Sequence, residues 1–224
     1  MFARIRVPVQ RRTPGATTGR PAERGVVVSA APMPHRLAQI GEGTIQRYDI
    51  TYGNRSNDCG TDMHVRIDGK NDKDLNKGSK PTTVPNWWPT GNGAVATYFS
   101  NYMVQGHLLN NELGGPGNTM DNLTPITRST NTTHFTKIEK DVKAAVENDD
   151  IVEYRVRPNY NVHPNFNDLG NNPPIGVQPY LQYMAGEVGA DYTVYHNVNH
   201  NVIGGLIGEK FVKNEGPQKK GTYI

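Results

Sequence analysis

Apolar and polar positions along this chain follow two rhythms. A two-residue alternation runs through TIQRYDITY (44–52), DMHVRID (62–68) and IVEYRVRPNY (151–160), as in strands with one buried face. IGVQPYLQYMA (175–185) and DYTVYHNV (191–198) are further strand candidates, separated by Gly and Asn-Pro-Pro turns. AVATYFSNYMVQGHLL (94–109) is aromatic and apolar and reads as one or two strands ending at a histidine. NLTPIT (122–127) reads as a short strand broken at Pro125. The second rhythm appears once, from Ser129 to Asn148. There Phe135, Ile138, Val142 and Ala145 recur at helical spacing and form one apolar stripe. Ser129 or Thr130 is placed to cap this helix. Glu139 to Lys143 and Lys143 to Glu147 are i,i+4 pairs expected on its solvent side.

Between the strands of the first half lies GKNDKDLNKGSKPTTVPNWWPTGNG (69–93), a polar loop punctuated by Gly and Pro. Trp87 and Trp88 at its end read as a packing anchor. The pattern predicts an α+β fold with a mixed, mostly antiparallel sheet and one main helix.

Composition adds limits. Hydrophobic residues make up 35% of the 224, with 24 Gly and 16 Pro, which predicts a modest core and many loops. The net charge of +3 excludes a uniformly basic surface but not a local basic patch. The one cysteine, Cys59, excludes an intrachain disulfide framework and a multi-cysteine zinc site, and reads as a small packing residue. No apolar run approaches the roughly 18 residues of a membrane span. GVVVSAAPM, behind some two dozen Arg-containing residues, is too short for a classical signal peptide.

Residues 1 to about 40 are different in kind. Arg4, Arg6, Arg11, Arg12, Arg20, Arg24 and Arg36 face a single acid, Glu23, and five prolines interrupt them. This predicts a flexible basic leader, with the globular domain occupying 41–224. Its functional readings are nucleic-acid contact or a targeting and packaging signal.

The chemistry concentrates in GHLLNNELGGPGNTMDNLTPITRSTNTTHFTKIEK, starting at Gly106. His107 ends a strand, GGPG lets the chain reverse, and Asn122 begins the next strand. On a helix, with Asn131 at zero, His134 falls near −60° and Glu139 near +80° at about 100° per residue. The three share one broad face beside the apolar stripe. A histidine titrating near neutrality suits water activation. A hard divalent ion needs only one or two protein oxygens and keeps several waters. His64, His163, His196 and His200 lack such surroundings and read as structural. HNVNHN (196–201) has metal-ligand spacing only if helical, and its alternation argues against that.

This segment resembles the DNA/RNA non-specific endonuclease family, built on the ββα-metal or His-Me finger motif. The matching features are Gly-His at a strand end, Asn-Leu-x-Pro in a second strand, an Asn opening a helix, and a Glu eight residues later. They cover about residues 95–160 and are closest to a toxin-like branch with GHL and a GGPG-type turn. The resemblance implies a metal-dependent endonuclease acting on DNA, RNA or both. By it, His107 is the general base, Asn122 positions the loop or substrate, and Glu139 orders metal-bound water. Asn131 is the main metal ligand, and His134 is a second ligand or a transition-state donor. The family's arginine before Gly-His is Gln105 here, so Arg128, Lys137 or Lys143 is expected to supply the phosphate-binding charge. Mg²⁺ is the implied ion, with Mn²⁺ possible and Zn²⁺ or Ni²⁺ favoured if His134 is a ligand. The leader and the toxin-like branch imply a protein made in the cytoplasm, then secreted or injected into a target cell, with a delivery apparatus and a cognate immunity protein as partners. The alternative, favoured by Gln105, is a non-catalytic cargo, structural or binding protein on the same scaffold.

Overall fold

The computed structural model describes residues 49–72, 77–198 and 201–216, with the backbone alone for 196–198 and 201–209. The leader, residues 44–48 of TIQRYDITY, most of the C-terminal tail and the side chains of HNVNHN lie outside the described residues. In chain order the elements are β1 (Ile50–Tyr52), β2 (Met63–Asp68), α1 (Gly69–Asp72), α2 (Ala94–Tyr102), β3 (Met103–His107), β4 (Leu123–Thr127), α3 (Arg128–His134), α4 (Lys140–Glu147), β5 (Ile151–Asn159), α5 (Gln178–Leu181), β6 (Glu187–Val198) and β7 (Asn201–Lys213).

The large sheet has strand order β1-β2-β5-β6-β7, and β3 pairs with β4 in a separate ribbon. Every described pairing is antiparallel. The alternation of β2 and β5 predicts this sheet well. Met63, Val65 and Ile67 point inward from β2, and Val152, Tyr154 and Val156 from β5, while His64, Arg66, Glu153, Arg155 and Arg157 stay on the other face. Salt bridges from Arg155 to Asp62 and from Arg157 to Asp191 lace that outer face.

Helices α3 and α4 form one run, joined by a single π-helical segment, Phe135–Glu139. The N-terminal half packs on the β3/β4 ribbon and the C-terminal half on β5 and β6. Ile138 and Val142 are fully buried there with Ala145 and Val146, beside Leu108, Leu109 and Ile126 of the ribbon side. Each fully buried aliphatic side chain contributes about 1.5–3 kcal/mol, so this stripe holds ribbon to sheet.

Thr127 caps the run, its hydroxyl accepting from the Thr130 N–H at 3.0 Å, in place of the expected Ser129 or Thr130 further along the chain. The end of β7 completes that cap. The Asn214 side chain is buried, accepts from the Thr127 N–H at 2.8 Å and donates to the Ala185 carbonyl at 2.8 Å. The Thr127 hydroxyl also donates to the Glu215 carbonyl, and the Thr130 hydroxyl to that of Lys213.

Two expected strands are helical. Residues 94–102 form α2, because Val95, Tyr98, Phe99 and Tyr102 lie at helical spacing and pack together as one face. Aromatic composition favours strands only weakly, and the period overrides it. Only the last part of that stretch, β3, is a strand. IGVQPYLQYMA is a 3₁₀ turn at Ile175–Val177 followed by α5, with Pro179 in its first turn. Val177, Leu181 and Met184 are its buried spacing. This second apolar cluster takes in Trp87 and Trp88, which pack as anchors. Cys59 is fully buried, and burial pushes its thiol up to about 12. It is a packing residue.

Candidate active site

β3 delivers His107 to the end of the ribbon, where its imidazole is half-buried. Its Nε2 lies 2.9 Å from the Ser79 carbonyl oxygen. A carbonyl only accepts, so this ring nitrogen carries the proton and Nδ1 keeps the lone pair. Burial lowers the His107 pKa below its ordinary 6.5, opposed by the Ser79 hydrogen bond and the negative charge of Glu139.

The Ser79 carbonyl belongs to a strap, residues 77–82, that crosses the loop after His107. The Gly78 N–H donates to the Asn111 carbonyl at 2.6 Å and the Thr82 N–H to the Gly117 carbonyl at 2.8 Å. The Ser79 hydroxyl accepts from the Gly117 N–H at 2.8 Å. GGPG is the landing for this strap. Gly114 has φ +90° and turns the chain, as expected of it. Gly115 and Gly117 instead have no room for a Cβ: one would collide with the Leu109 carbonyl and the other with that of Lys80.

Asn122 sits at the end of a 3₁₀ turn, one residue before β4, and is completely buried. Its Oδ1 accepts from the Leu109 N–H at 2.8 Å. Its Nδ2 donates to the Leu109 and Pro116 carbonyls, both at 3.0 Å. The amide therefore clamps the loop that begins at His107.

Across the ribbon, α3 presents Asn131 at the surface. A Cβ on Gly106 would come within 3.3 Å of the Asn131 Oδ1 and 2.8 Å of the Ile126 Cγ1. Glycine before His107 thus leaves the space into which the asparagine oxygen looks.

His134 and Glu139 are buried below this point, 3% and 5% exposed. His134 Nδ1 is 3.2 Å from Glu139 Oε1, and Asn110 Nδ2 donates to Glu139 Oε2 at 2.7 Å. Residues five apart on an α-helix point about 140° away from one another. The π segment adds the extra residue per turn that aligns them. The second ring nitrogen of His134 is buried with no hydrogen-bond partner among the described residues.

The π segment also revises the expected surface pairs. Glu139 faces inward and does not pair with Lys143. Lys143 is bonded to Glu112 instead, with its ammonium 5.9 Å from the centre of the Phe135 ring. Phe135 is 37% exposed and leaves the apolar stripe.

Among the expected phosphate-binding residues, Arg128 donates to the carbonyls of Asn101 and Ser100, at the end of α2. Lys137 is exposed on the π segment, and its carbonyl accepts from Lys210. Gln105 is 9% exposed, and neither end of its amide has a hydrogen-bond partner among the described residues. His107, Asn131, His134 and Glu139 thus come together around the ribbon end, with Asn122 supporting them. His64 is exposed on the far face of the sheet, and His163 is bonded to the Met184 carbonyl.

Among the described residues no three His, Cys, Asp or Glu side chains converge as an ion cage. What the site offers is one exposed amide oxygen with a buried carboxylate beneath it. That donor set fits a hard ion that keeps most of its waters.

The family model for "DNA/RNA non-specific endonuclease" matches residues 48–167, more than half of the chain. No curated protein matches. NucA from Streptococcus agalactiae resembles the chain with magnesium bound (14% identity, 79% of this chain and 75% of that one, TM-score 0.44) and with no metal bound (12%, 76% and 72%, TM-score 0.43). A protein described as an extracellular endonuclease aligns at 13% identity over 79% of this chain and 85% of its own, TM-score 0.45.

Proposed function

The chain belongs to the DNA/RNA non-specific endonuclease family, whose members are divalent-metal-dependent phosphodiester hydrolases, and on that premise we propose how its residues divide the work. His107 is the general base. With Nε2–H held by Ser79, Nδ1 removes a proton from water. The water oxygen bonds to phosphorus, the bond from phosphorus to the leaving sugar oxygen breaks, and that oxygen takes up a proton. Asn131 would hold a divalent ion through Oδ1, and Glu139 would orient the waters that such an ion keeps. Mg²⁺ is the ion this donor set favours. A bound divalent ion supplies charge neutralisation at the phosphate and leaving oxygen.

Asn122 acts at one remove, by fixing the loop that carries His107. His134 holds Glu139 in place from below. In this division Arg128 and Lys143, both bonded elsewhere, are not the phosphate cations.

The observation that carries this reading is the Ser79–His107 contact together with the Asn131 oxygen facing Gly106. Plasmid digestion with Mg²⁺, with and without EDTA, tests it. Wild type should cut only when metal is present, and His107→Ala should not cut. Equal cutting by both proteins, or none with any divalent ion, would sink the assignment.

Nucleic acid is the substrate, DNA or RNA. The Arg-rich leader ahead of residue 41 supports delivery as a toxin or effector, through secretion or injection, with an immunity protein in the producer. No described helix is long and apolar enough to cross a membrane.

A further inference from the structure

An anionic substrate strand needs cations beside the base, and two of the residues expected to supply them are bonded elsewhere. Gln105 leaves β3 on the same face as His107 and carries no charge. Lys143 is bonded to Glu112, and Arg128 to carbonyls at the end of α2. The strap across His107 carries two lysines. Lys77 and Lys80 flank Gly78 and Ser79, are exposed, and make no ion pair among the described residues. We infer that Lys80, with Lys77, binds phosphates of the substrate strand flanking the bond that is cut.

The distances support this from covalent geometry alone. In a planar trans peptide the next Cα lies about 2.8 Å from the carbonyl oxygen. The Ser79 oxygen is 2.9 Å from His107 Nε2. The Lys80 Cα therefore lies within about 6 Å of the imidazole. An extended lysine reaches roughly 6 Å from Cα to Nζ. Extended toward the ring, its ammonium can reach past the imidazole to the neighbouring backbone of a strand whose water is activated at Nδ1.

The strap is also rigid enough to act as a positioned site. Three hydrogen bonds and the tight seats of Gly78 on Gly115 and of Gly117 on Lys80 fix it to the loop. The carbonyl that orients the base and the Lys80 cation belong to consecutive residues. A shift of one shifts the other, so base and phosphate site keep a constant separation.

This inference rests on the nuclease reading, but it is testable apart from cleavage. The probe is a short fluorescent DNA duplex, bound in EDTA to the full chain carrying His107→Ala and followed by anisotropy across a salt series. Adding Lys77→Ala and Lys80→Ala should weaken binding about tenfold. The slope of log K against log salt should lessen by about 0.9 for each phosphate no longer neutralised. Lys80→Arg should retain both affinity and slope. Unchanged affinity and slope in the double variant would overturn the inference, whether or not the wild type cuts. In the active background Lys80→Ala should raise KM with kcat held within about twofold. A fall in kcat with KM and salt slope unchanged would mark Lys80 as structural and equally overturn it. Loss of cutting in every metal with the binding difference intact would instead condemn the catalytic reading alone.

Discussion

As the proposed base, His107 needs a free lone pair on one ring nitrogen and a fixed proton on the other, and burial serves the first demand. Its pKa lies below 6.5, so the folded enzyme keeps the neutral base at pH values where a free histidine is half charged. Activity should therefore persist on acidification past pH 6.5 and fall only as the lowered pKa is crossed. A pH profile of kcat/KM should show this acid limb, and a limb at or above 6.5 would contradict it. At Asn122 the prediction is one of stability. Asn122→Ala takes this partner from the Leu109 N–H and from two carbonyls in a dry site, a loss of about 3 kcal/mol or more at 1–3 per orphaned group. Urea denaturation reads this, and Asn122→Asp should not rescue it, because a carboxylate cannot donate to the carbonyls. His107, Asn131 and Glu139 are legible in the sequence because each sits at the end or along the face of a local element. Ser79 is not. It lies 28 residues from His107 in a polar loop, and no periodicity links a backbone carbonyl to a distant ring.

The helical run shows what a sequence pattern hides at the scale of an element. Its length is readable almost to the residue, and its apolar stripe is too except at Phe135, which turns outward. The π segment within it is not, because one inserted residue barely disturbs a period counted over three turns. Yet it decides where Glu139 points: inward to His134 and Asn110, not outward to Lys143. If His134 serves Glu139 and not the ion, His134→Ala should lower thermal stability and kcat. It should leave the Mg²⁺ concentration for half-maximal activity within about threefold, whereas Asn131→Ala should raise it about tenfold or more. A metal titration of both variants separates the two roles. The difference at α2 has the opposite origin. Its aromatic, apolar composition suggests strand, while the i, i+3, i+4, i+7 spacing of the same residues describes a helix.

For the molecule as a whole, alternation alone locates most of the large sheet, since one dry face leaves a two-residue trace in β2, β5 and β6. β7 leaves none, its glycines giving no side chains to alternate. The core clusters draw on residues from 50 onward, and the family match begins at 48. A protein beginning at residue 41 should thus keep the full chain's melting temperature within about 2 °C and its Mg²⁺-dependent cutting of plasmid DNA. A large loss of either would place residues 1–40 inside the folded unit.

The latch from β7 to the cap of α3 adds a constraint in time. On the ribosome, His107, Asn131 and Glu139 are all synthesised well before Asn214, Glu215 and the carbonyl of Lys213. Until those residues emerge, the first turn of the helix that bears Asn131 lacks the partners that fix it. The chemistry is assembled from the middle of the chain, but the last turn of the lock is made near its end. A chain cut short before Asn214 carries His107, Asn131 and Glu139 but not the hydrogen bonds that tie Thr127 and Thr130 to the end of β7.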